Sequence, residues 1–329
     1  MKPITHLVER LSAPPSAWHQ QHAQPAEANA DAHQRAFAAC DPMHHIEHTR
    51  IAANTAPLRL PIRIATWNLE RCYHPQASAE TVADCDVLLL SELDAGMART
   101  QQRHNTALIA AQLDLHAAYG VEFLELGLGS PLELPRCTDN HNELGFHGNA
   151  VLARTPLHQL QLWRLSDDGE HWYRADSPEW RVGGRFALGA RLHTTEGELF
   201  VVSVHLEYFH SPQRKADTFA ALLQAIDAWC GASPLVIGGD LNTFRASDDW
   251  GEEPLFALAQ QAGLRIHGAA PGAATTRASD ISPHARHWRL DWLLTRQVNT
   301  GACGVRAAVA GDTVLSDHDA VVLDITALS

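Results

Sequence analysis

The chain has 329 residues, of which 45% are hydrophobic and 19% are charged, so it can bury a large core in one or two domains. Its formal net charge is −13, with only two lysines, Lys2 and Lys215, and with arginines dispersed along the chain. Proteins that hold duplex nucleic acid usually carry a basic stripe, because neutralising phosphates supplies most of their non-specific affinity. The charge therefore disfavours duplex nucleic acid as a partner, but it does not exclude a short or single-stranded one.

The sequence also bears on membranes and on redox chemistry. No run of 18 or more apolar residues occurs, so we expect no transmembrane segment. Residues 1–20 include the charged Glu9 and Arg10 and lack the apolar stretch of a signal peptide, so we expect a soluble, cytoplasmic protein. The six cysteines form no Cys-x-x-Cys pair, which predicts free, mostly buried thiols. The oligomeric state stays open.

Residues 1–58 differ in composition from the rest of the chain. They are rich in Ala, Gln, His and Pro, and residues 25–43 have a helical pattern. Pro14, Pro15 and Pro57 interrupt the segment. We therefore predict a helical or irregular N-terminal extension, to which the sequence assigns no role.

From residue 60 onward, short apolar runs alternate with turns and helical patterns. The predicted strands are residues 62–68, 87–92, 117–123, 149–153, 186–193, 200–206, 235–239, 290–295 and 320–325. The predicted helices are residues 76–83, 99–113, 212–229 and 254–262. Several strands follow one another without an intervening helix. This order predicts an α/β fold in which two mixed sheets pack face to face with helices outside.

Polar clusters lie at the ends of four of the predicted strands, and the fourth cluster precedes the last strand. They are residues 66–70 (Thr-Trp-Asn-Leu-Glu), 88–94 (Leu-Leu-Leu-Ser-Glu-Leu-Asp), 236–243 (Val-Ile-Gly-Gly-Asp-Leu-Asn-Thr) and 315–320 (Leu-Ser-Asp-His-Asp-Ala). A carboxylate at the end of a buried strand is partly desolvated and is held by rigid backbone. Carboxylate and amide oxygens, with imidazole beside them, suit Mg²⁺ or Mn²⁺. One such cluster is an ordinary cap or turn, but its recurrence at four strand ends favours a shared site.

These clusters and three further segments resemble the motifs of the endonuclease/exonuclease/phosphatase superfamily, which has the deoxyribonuclease-like fold. The similar segments are residues 67–68 (Trp-Asn), 91–92 (Ser-Glu), 148–154 (Gly-Asn-Ala-Val-Leu-Ala-Arg), 203–206 (Ser-Val-His-Leu), 239–242 (Gly-Asp-Leu-Asn), 290–293 (Leu-Asp-Trp-Leu) and 316–318 (Ser-Asp-His). They occur in the family's order over residues 62–325. The resemblance implies a four-layer α-β-β-α sandwich, with a catalytic domain at residues 59–329.

The resemblance further implies a hydrolase that depends on a divalent metal, Mg²⁺ or Mn²⁺, and cleaves a phosphoester by in-line attack of activated water. The implied metal ligands are Asn68, Glu92 and Asp317. Whether one or two ions bind is left open.

The same resemblance implies the catalytic residues. Asp240 would orient the attacking water or accept its proton, and Asn242 would hold that water or the phosphate. His318, oriented by Asp291, would bond a phosphate oxygen. His205 would be a second phosphate contact or the acid for the leaving group.

Other residues are candidates for substrate binding. Asn149 lies in a family motif, and Arg185 follows two glycines, where a guanidinium could bind phosphate bidentately. The carboxylate partner of His205 is either Glu122 or Glu125. The insert at residues 166–184 contains Trp172, Tyr173 and Trp180, which could stack on a base or pack within their own loop.

Two alternative functions stay open. One is a nuclease acting on short or single-stranded DNA or RNA, which would use every catalytic residue named above. The other is a non-catalytic binding module on the same fold, which would be marked by the loss of metal or histidine motifs. A zinc enzyme is disfavoured, because no His-x-x-x-His pair or Cys/His cluster with ligand spacing occurs.

Overall fold

The structure is a computed structural model. It describes residues 1–22, 29–49, 52–166, 169–173, 180–245, 253–284 and 287–329. Its strands are β1 (Leu7–Val8), β2 (Ile46–Thr49), β3 (Ile62–Arg71), β4 (Val87–Ala95), β5 (His116–Glu125), β6 (Phe146–Ala153), β7 (His158–Arg164), β8 (Arg181–Gly183), β9 (Phe186–Thr194), β10 (Gly197–His205), β11 (Leu235–Arg245), β12 (Arg265–His267), β13 (Arg289–Arg296), β14 (Val298–Arg306), β15 (Val309–Ala310), β16 (Thr313–Val314) and β17 (Ala320–Leu328). Its helices are α1 (Ser16–His22), α2 (Ala30–Ala38), α3 (Pro75–Thr81), α4 (Asn105–Leu113), α5 (Glu170–Tyr173), α6 (Pro212–Cys230) and α7 (Pro254–Gln261).

Two large mixed sheets form the centre of the molecule. The first has the order β1-β2-β5-β6-β4-β3-β17-β14, with β8 also paired to β5. The second has the order β12-β13-β11-β10-β9-β7. In the first sheet β3 and β4 are parallel neighbours, and in the second β10 and β11 are parallel neighbours. The parallel pairs matter for function because their carboxyl ends carry the polar clusters.

The apolar side chains divide into three cores, which define the layers. One core, including Ile64 and Leu188, fills the space between the two sheets. A second lies on the outer face of the first sheet and contains Ile109 of α4. A third lies on the outer face of the second sheet and contains Phe219 of α6 and Phe256 of α7. The central strands are buried on both faces, which explains their nearly continuous apolar runs. The predicted four-layer sandwich is confirmed.

Each of the nine predicted strands overlaps an observed strand, and three of the four predicted helices are correct within two residues at each end. The prediction of one helix over residues 99–113 was wrong at its start. Residues Ala98–Thr100 form a short 3₁₀ turn, and Gln101 and Gln102 then adopt left-handed backbone angles. Helix α4 begins only at Asn105, where the His104 side chain accepts a hydrogen bond from Ala107 N. The left-handed backbone at Gln101 and Gln102 interrupts the helical run, and the Arg99 side chain just before it is buried in an ion pair with Asp94.

The N-terminal residues pack against both sheets. Strand β2 pairs with β5, and Ile4 forms a bridge to Leu162 in the second sheet. Of the helix predicted over residues 25–43, residues 23–28 lie outside the described part of the chain, and α2 occupies Ala30–Ala38. All six cysteines are free and four are buried, as predicted. In the described part of the chain, no helix is both long and apolar enough to span a membrane.

Candidate active site

The carboxyl ends of the two parallel strand pairs meet at one edge of the sandwich. Asn68 on β3 pairs with Ser91 on β4, directly before Glu92. In the second sheet, Asp240 on β11 lies between His205 on β10 and Asp291 on β13. The polar side chains that follow the apolar runs are therefore brought together by strand register.

Asp240 is the centre of this group. Its Oδ2 atom accepts a hydrogen bond from Asn68 Nδ2 at 3.1 Å and lies 3.6 Å from His205 Nε2 and 3.8 Å from His318 Nε2. Its Oδ1 atom accepts a hydrogen bond from the Asn242 backbone N–H at 2.9 Å. One carboxylate thus joins residues from the first sheet, the second sheet and the segment before β17.

His318 is held from both sides. Its Nδ1 atom lies 2.8 Å from Asp291 Oδ2, and its backbone carbonyl accepts a hydrogen bond from the Trp67 indole N–H at 2.7 Å. Burial raises the pKa of Asp291 to about 6, although His318 acts in the opposite direction. Burial opposes protonation of His318, yet Asp291 and the nearby Asp317 and Asp240 raise the pKa of His318 well above its ordinary value.

Three carboxylates gather beside Asn68. Asn68 Nδ2 donates to Glu92 Oε1 at 3.2 Å, and Glu70 Oε2 accepts a hydrogen bond from the Asp317 backbone N–H at 3.0 Å. Burial, with the charge of Asp317, raises the pKa of Glu70 to about 8. Burial also raises the pKa of Asp317, and the charge of Glu92 contributes to that increase. A divalent cation would relieve this repulsion, so the oxygen-rich donor set fits Mg²⁺ or Mn²⁺.

A second set of possible metal-ligand atoms lies next to these carboxylates. Asp240, Asp291 and His318 each offer a ligand atom, and these atoms lie within 4.8 Å of one another. The Nδ1 atom of His318 already faces Asp291 at 2.8 Å. A histidine on a carboxylate is typical of an oriented hydrogen-bond donor, which is the arrangement of His318 on Asp291.

Glu92 also contacts a basic side chain. Its Oε2 atom lies 2.5 Å from Arg71 Nη1. Burial opposes ionisation of Glu92, but Arg71 and more distant positive charges hold its pKa well below the usual range. Glu92 is therefore ionised at neutral pH and can act as an anionic ligand.

Several site residues have strained backbone. Glu70, Arg71, Glu92 and Asn242 have positive φ angles of 44°, 72°, 58° and 50°. The register of β3 against β4 shifts between Asn68 and Arg71. Left-handed backbone costs a residue with a side chain on the order of 1 kcal/mol and persists where packing enforces it. Here it redirects side chains from the regular alternation of the strands into the site.

His205 contacts one acidic and one basic side chain. Its Nδ1 atom lies 3.4 Å from Glu122 Oε2, and Arg185 Nη1 contacts both ring nitrogens at 2.8 and 3.1 Å. Between the two candidates, Glu122 is therefore the partner of His205. Glu125 instead lies 3.5 Å from Arg99.

Arg185 and Asn149 are buried and have protein partners. Arg185 forms ion pairs with Glu122 at 3.0 Å and Glu207 at 3.1 Å. Asn149 Oδ1 accepts the Glu92 backbone N–H at 3.3 Å, and Asn149 Nδ2 donates to Glu122 Oε1 at 3.2 Å. Both side chains link the Glu92 side of the site to the His205 side.

A family model described as the endonuclease/exonuclease/phosphatase family matches residues 65–318. The chain belongs to that family. No protein with a curated description matches significantly.

Solved structures from this family share the fold. The chain is 18% identical to an endonuclease/exonuclease/phosphatase from Beutenbergia cavernae, with a TM-score of 0.55 over 82% of this chain and 72% of that one. It is also 18% identical to the human Nocturnin catalytic domain with bound sulfate, with a TM-score of 0.56 over 83% of this chain and 97% of that one. A mannosyl-6-phosphatase from Bacteroides thetaiotaomicron is 14% identical, with a TM-score of 0.52 over 80% of this chain and 99% of that one. These likenesses concern the fold.

A cavity of about 340 Å³ opens beside the family's Ser-Asp-His segment. Asp317 and His318 form one wall, and Leu132, Trp288 and Leu290 contribute apolar surface. A substrate whose phosphate lay at His318 would place a neighbouring group in this cavity.

Trp172 and Trp180, the two described aromatic side chains of the insert at residues 166–184, differ in burial. Trp172 is buried in the outer core of the first sheet, whereas Trp180 is 38% exposed. The side chain of Tyr173 and residues 167–168 and 174–179 lie outside the described part of the chain. Trp172 thus packs in the protein interior.

Sequence reasoning missed four charged residues of the site, which are Glu70, Arg71, Glu133 and Glu207. Glu70 lies within the first polar cluster but received no role, and its left-handed backbone could not be read from the sequence. Glu207 could have been identified from the sequence, because it is a carboxylate two residues after His205 and next to a family motif. Glu133, which binds Arg71 at 2.9 Å, lies in a distant loop and gave no local signal.

Proposed function

We propose that this protein is a divalent-metal-dependent phosphoesterase that hydrolyses a phosphodiester or phosphomonoester by in-line attack of activated water. The observation that carries the proposal is the convergence of Asn68, His205 and His318 on Asp240, next to the carboxylates of Glu70, Glu92 and Asp317. The family contributes the reaction class, and the catalytic domain is proposed to span residues 59–329.

Glu92 and Asp317 would hold Mg²⁺ or Mn²⁺. Asn68 was predicted as a ligand, but its Nδ2 atom donates to Glu92 Oε1 and its Oδ1 atom accepts the Glu70 backbone N–H, so it would position the Glu92 carboxylate. When bound, the ion would neutralise charge on a non-bridging oxygen and on the leaving oxygen. Glu70 is a further acidic residue next to the proposed metal ligands. Its Oε2 atom accepts a hydrogen bond from the Asp317 backbone N–H and thereby fixes the backbone of Asp317. Arg71 would balance the charge of Glu92 from the other side.

Asp240 is proposed to orient the attacking water and to accept its proton. Its Oδ1 atom is engaged by the Asn242 backbone, so Oδ2 is the atom that faces the two histidines. Asn242 Nδ2 donates to the Leu206 carbonyl at 2.8 Å, so its amide contributes by fixing the turn after Asp240. A carboxylate so placed has the geometry of a general base.

His318 is proposed to donate a hydrogen bond from Nε2 to a phosphate oxygen, because Asp291 occupies its Nδ1 side. His205 would supply a proton to the leaving group or contact the phosphate, supported by Glu122. Arg185 would add positive charge next to His205, and Asn149 would position Glu92 and Glu122. Fixed donors aimed at a phosphoryl group stabilise the charge that develops in the transition state.

The acidic composition favours a small phosphoester over a long nucleic acid. Relatives with the same fold include a protein described as a mannosyl-6-phosphatase, which supports a small-molecule substrate by analogy. The alternative function, a nuclease, would use the same site residues. The dependence of the rate on salt concentration distinguishes it from a phosphoesterase that acts on small molecules. Cleavage of an oligonucleotide would slow steeply as salt rises, whereas hydrolysis of a small phosphoester would change little.

The test is a substrate panel with Mg²⁺ or Mn²⁺, containing bis-p-nitrophenyl phosphate, nucleotides, sugar phosphates, oligonucleotides and phospholipids. We expect hydrolysis of at least one compound, abolished by chelator and reduced at least 100-fold in Asp240→Asn. The control is Asp227→Asn, which changes an exposed carboxylate on α6. Equal rates in wild type and Asp240→Asn would refute the role of Asp240. Absence of any turnover, with metal binding retained, would favour the non-catalytic binding module.

A further inference from the structure

A second cavity, of about 520 Å³, lies next to α3 and the 3₁₀ turn at Ala98–Thr100. Its lining includes Arg99, Arg103, Arg136, His74 and Tyr73 and contains no carboxylate among the described residues. Three arginines around one cavity are unusual in a chain with a net charge of −13. The volume falls within the range of roughly 300–1,000 Å³ that is common for small-molecule sites.

The arginines of this cavity are neutralised to different degrees. Arg99 is buried and bound to Asp94 at 2.8 Å, so its charge is balanced. Arg136 pairs with Asp280 at 2.6 Å, but the Asp280 side chain is 81% exposed, and a pair so exposed is weak. Within the described residues, Arg103 forms no ion pair and donates only to the backbone carbonyls of Thr100 and Tyr73. The cavity therefore retains positive charge.

The positive charge of the cavity arginines acts on the neighbouring side chains of His74 and Tyr73. Burial lowers the pKa of His74, and the charges of Arg136 and Arg103 lower it further. The Arg136 guanidinium lies 4.6 Å from the centre of the Tyr73 ring. The Tyr73 hydroxyl is buried and has no hydrogen-bond partner among the described residues. A ligand group bound in the cavity would give this hydroxyl a hydrogen-bond partner.

We propose that this cavity binds a small phosphorylated molecule, whose phosphate is held by Arg103 and Arg136 beside Tyr73. Guanidinium groups match phosphate oxygens with paired N–H donors, and the absence of a lining carboxylate removes the main source of repulsion. The inference goes beyond the proposed hydrolysis, since none of these residues belongs to the group around Asp240.

One acidic side chain, Glu133, contacts both an arginine of the cavity lining and an arginine of the active site. Glu133 lies 3.3 Å from Arg99 Nη1 on the cavity side and 2.9 Å from Arg71 Nε, whose guanidinium contacts Glu92. A binding experiment must therefore show which of the two sites is occupied. Omitting metal helps, because without a cation the carboxylates of the active site repel phosphate.

The experiment is isothermal titration calorimetry of the full chain with inorganic pyrophosphate, in the presence of chelator. We expect saturable binding to wild type, weakened at least tenfold in the double variant Arg103→Gln/Arg136→Gln. Arg59→Gln, which changes an exposed arginine, should bind as wild type does. His318→Gln, which removes the active-site group proposed to bind phosphate, should also bind pyrophosphate as wild type does, which would place the ligand outside the active site.

A second pair of variants covers the case in which the double variant does not fold. Gln76→Glu adds a carboxylate to the cavity at an exposed position of α3, and Gln261→Glu adds one at an exposed position of α7. Only the first should weaken pyrophosphate binding. AMP and adenosine, titrated in parallel, test the role of the phosphate, and AMP should bind more tightly. The proposal is overturned if wild type binds no pyrophosphate at millimolar concentration, if cavity variants and controls bind equally, or if adenosine binds as tightly as AMP.

Discussion

Asp291 lies behind His318, with its Oδ2 atom 2.8 Å from His318 Nδ1 and both side chains buried. The contact fixes the orientation of the imidazole ring and leaves Nε2 facing Asp240 at 3.8 Å. Asp291 thus acts on the site through His318, as a positioning residue.

Replacing this carboxylate should impair turnover more than binding. In Asp291→Asn the charge-assisted hydrogen bond to His318 is lost, which is worth about 1.5–3 kcal/mol, or roughly 10- to 100-fold in kcat. KM should change less than threefold, because Asp291 faces His318 Nδ1, whereas the phosphate is proposed to bind at Nε2. Steady-state kinetics of the best substrate from the panel measure both constants, with Asp227→Asn as the exposed control. A change confined to KM would contradict this role.

Metal binding should be visible without any activity measurement. Because repulsion involving Glu92, Asp317 and Glu70 is present in the metal-free protein, Mg²⁺ or Mn²⁺ should raise the Tm of wild type in a concentration-dependent manner. Glu92→Gln removes one charged ligand, so the metal concentration needed for a given rise in Tm should increase at least tenfold. Differential scanning calorimetry measures it, with Glu198→Gln as an exposed control. An identical metal response in Glu92→Gln and wild type would rule out Glu92 as a ligand.

The indole of Trp67 should influence catalysis through the backbone of His318. Trp67→Phe keeps an aromatic ring in the core but removes the hydrogen bond to the His318 carbonyl. We expect a loss of stability of about 1–3 kcal/mol and a fall in kcat of at least fivefold. Trp163→Phe, at an equally buried position in the outer core of the second sheet, should lower stability without lowering kcat. Equal kcat values in the two variants would show that Trp67 is only structural.

Glu122 should make stability depend on pH in the acid range. Burial opposes its ionisation, but Arg185 and His205 lower its pKa to about 2 from an ordinary value of 4.5. A lowered carboxyl pKa contributes stability that is present above pH 4.5 and is lost as the pH falls toward 2. Glu122→Gln should therefore be less stable than wild type by on the order of 3 kcal/mol at pH 7, and the difference should shrink below pH 4.5.

Urea unfolding between pH 3 and pH 7 measures this difference. The control Glu198→Gln removes a partly exposed carboxylate that pairs with Arg191. Such a pair contributes up to about 1 kcal/mol, so the control should remain close to wild type at every pH. A Glu122→Gln deficit that stayed constant down to pH 3 would contradict the assigned direction of the pKa shift.

Much of the fold was predictable because the central strands are buried on both faces and read as uninterrupted apolar runs. Strand β14 was missed because most of its side chains are exposed or half-buried, so it has no apolar run. The start of α4 was predicted wrongly because Arg99 has a high helix propensity. In the structure Arg99 is buried against Asp94, and left-handed backbone at Gln101 and Gln102 precedes the helix.

The site was predictable to the extent that it follows strand ends. Asp240, Asp291 and His205 lie where regular pairing places them, in adjacent register. The sequence could not decide whether Glu122 or Glu125 is the partner of His205. The answer depends on a register shift of β5 against β6 between Val121 and Phe123, for which the local sequence gives no signal. The arginine-lined cavity was equally hidden, because Tyr73, Arg103 and Arg136 come from separate loops.

The pairing of β2 with β5 has a practical consequence for anyone who shortens this protein. Residues Ala117–Tyr119 of β5 form their outer hydrogen bonds with Glu47–Thr49, and the neighbouring Phe123–Glu125 pair with β8. A version that starts near residue 59 would present bare amides and carbonyls at Ala117–Tyr119, which invites strand-to-strand self-association during expression and purification. Affinity tags and fusion partners should be attached with the first 58 residues retained.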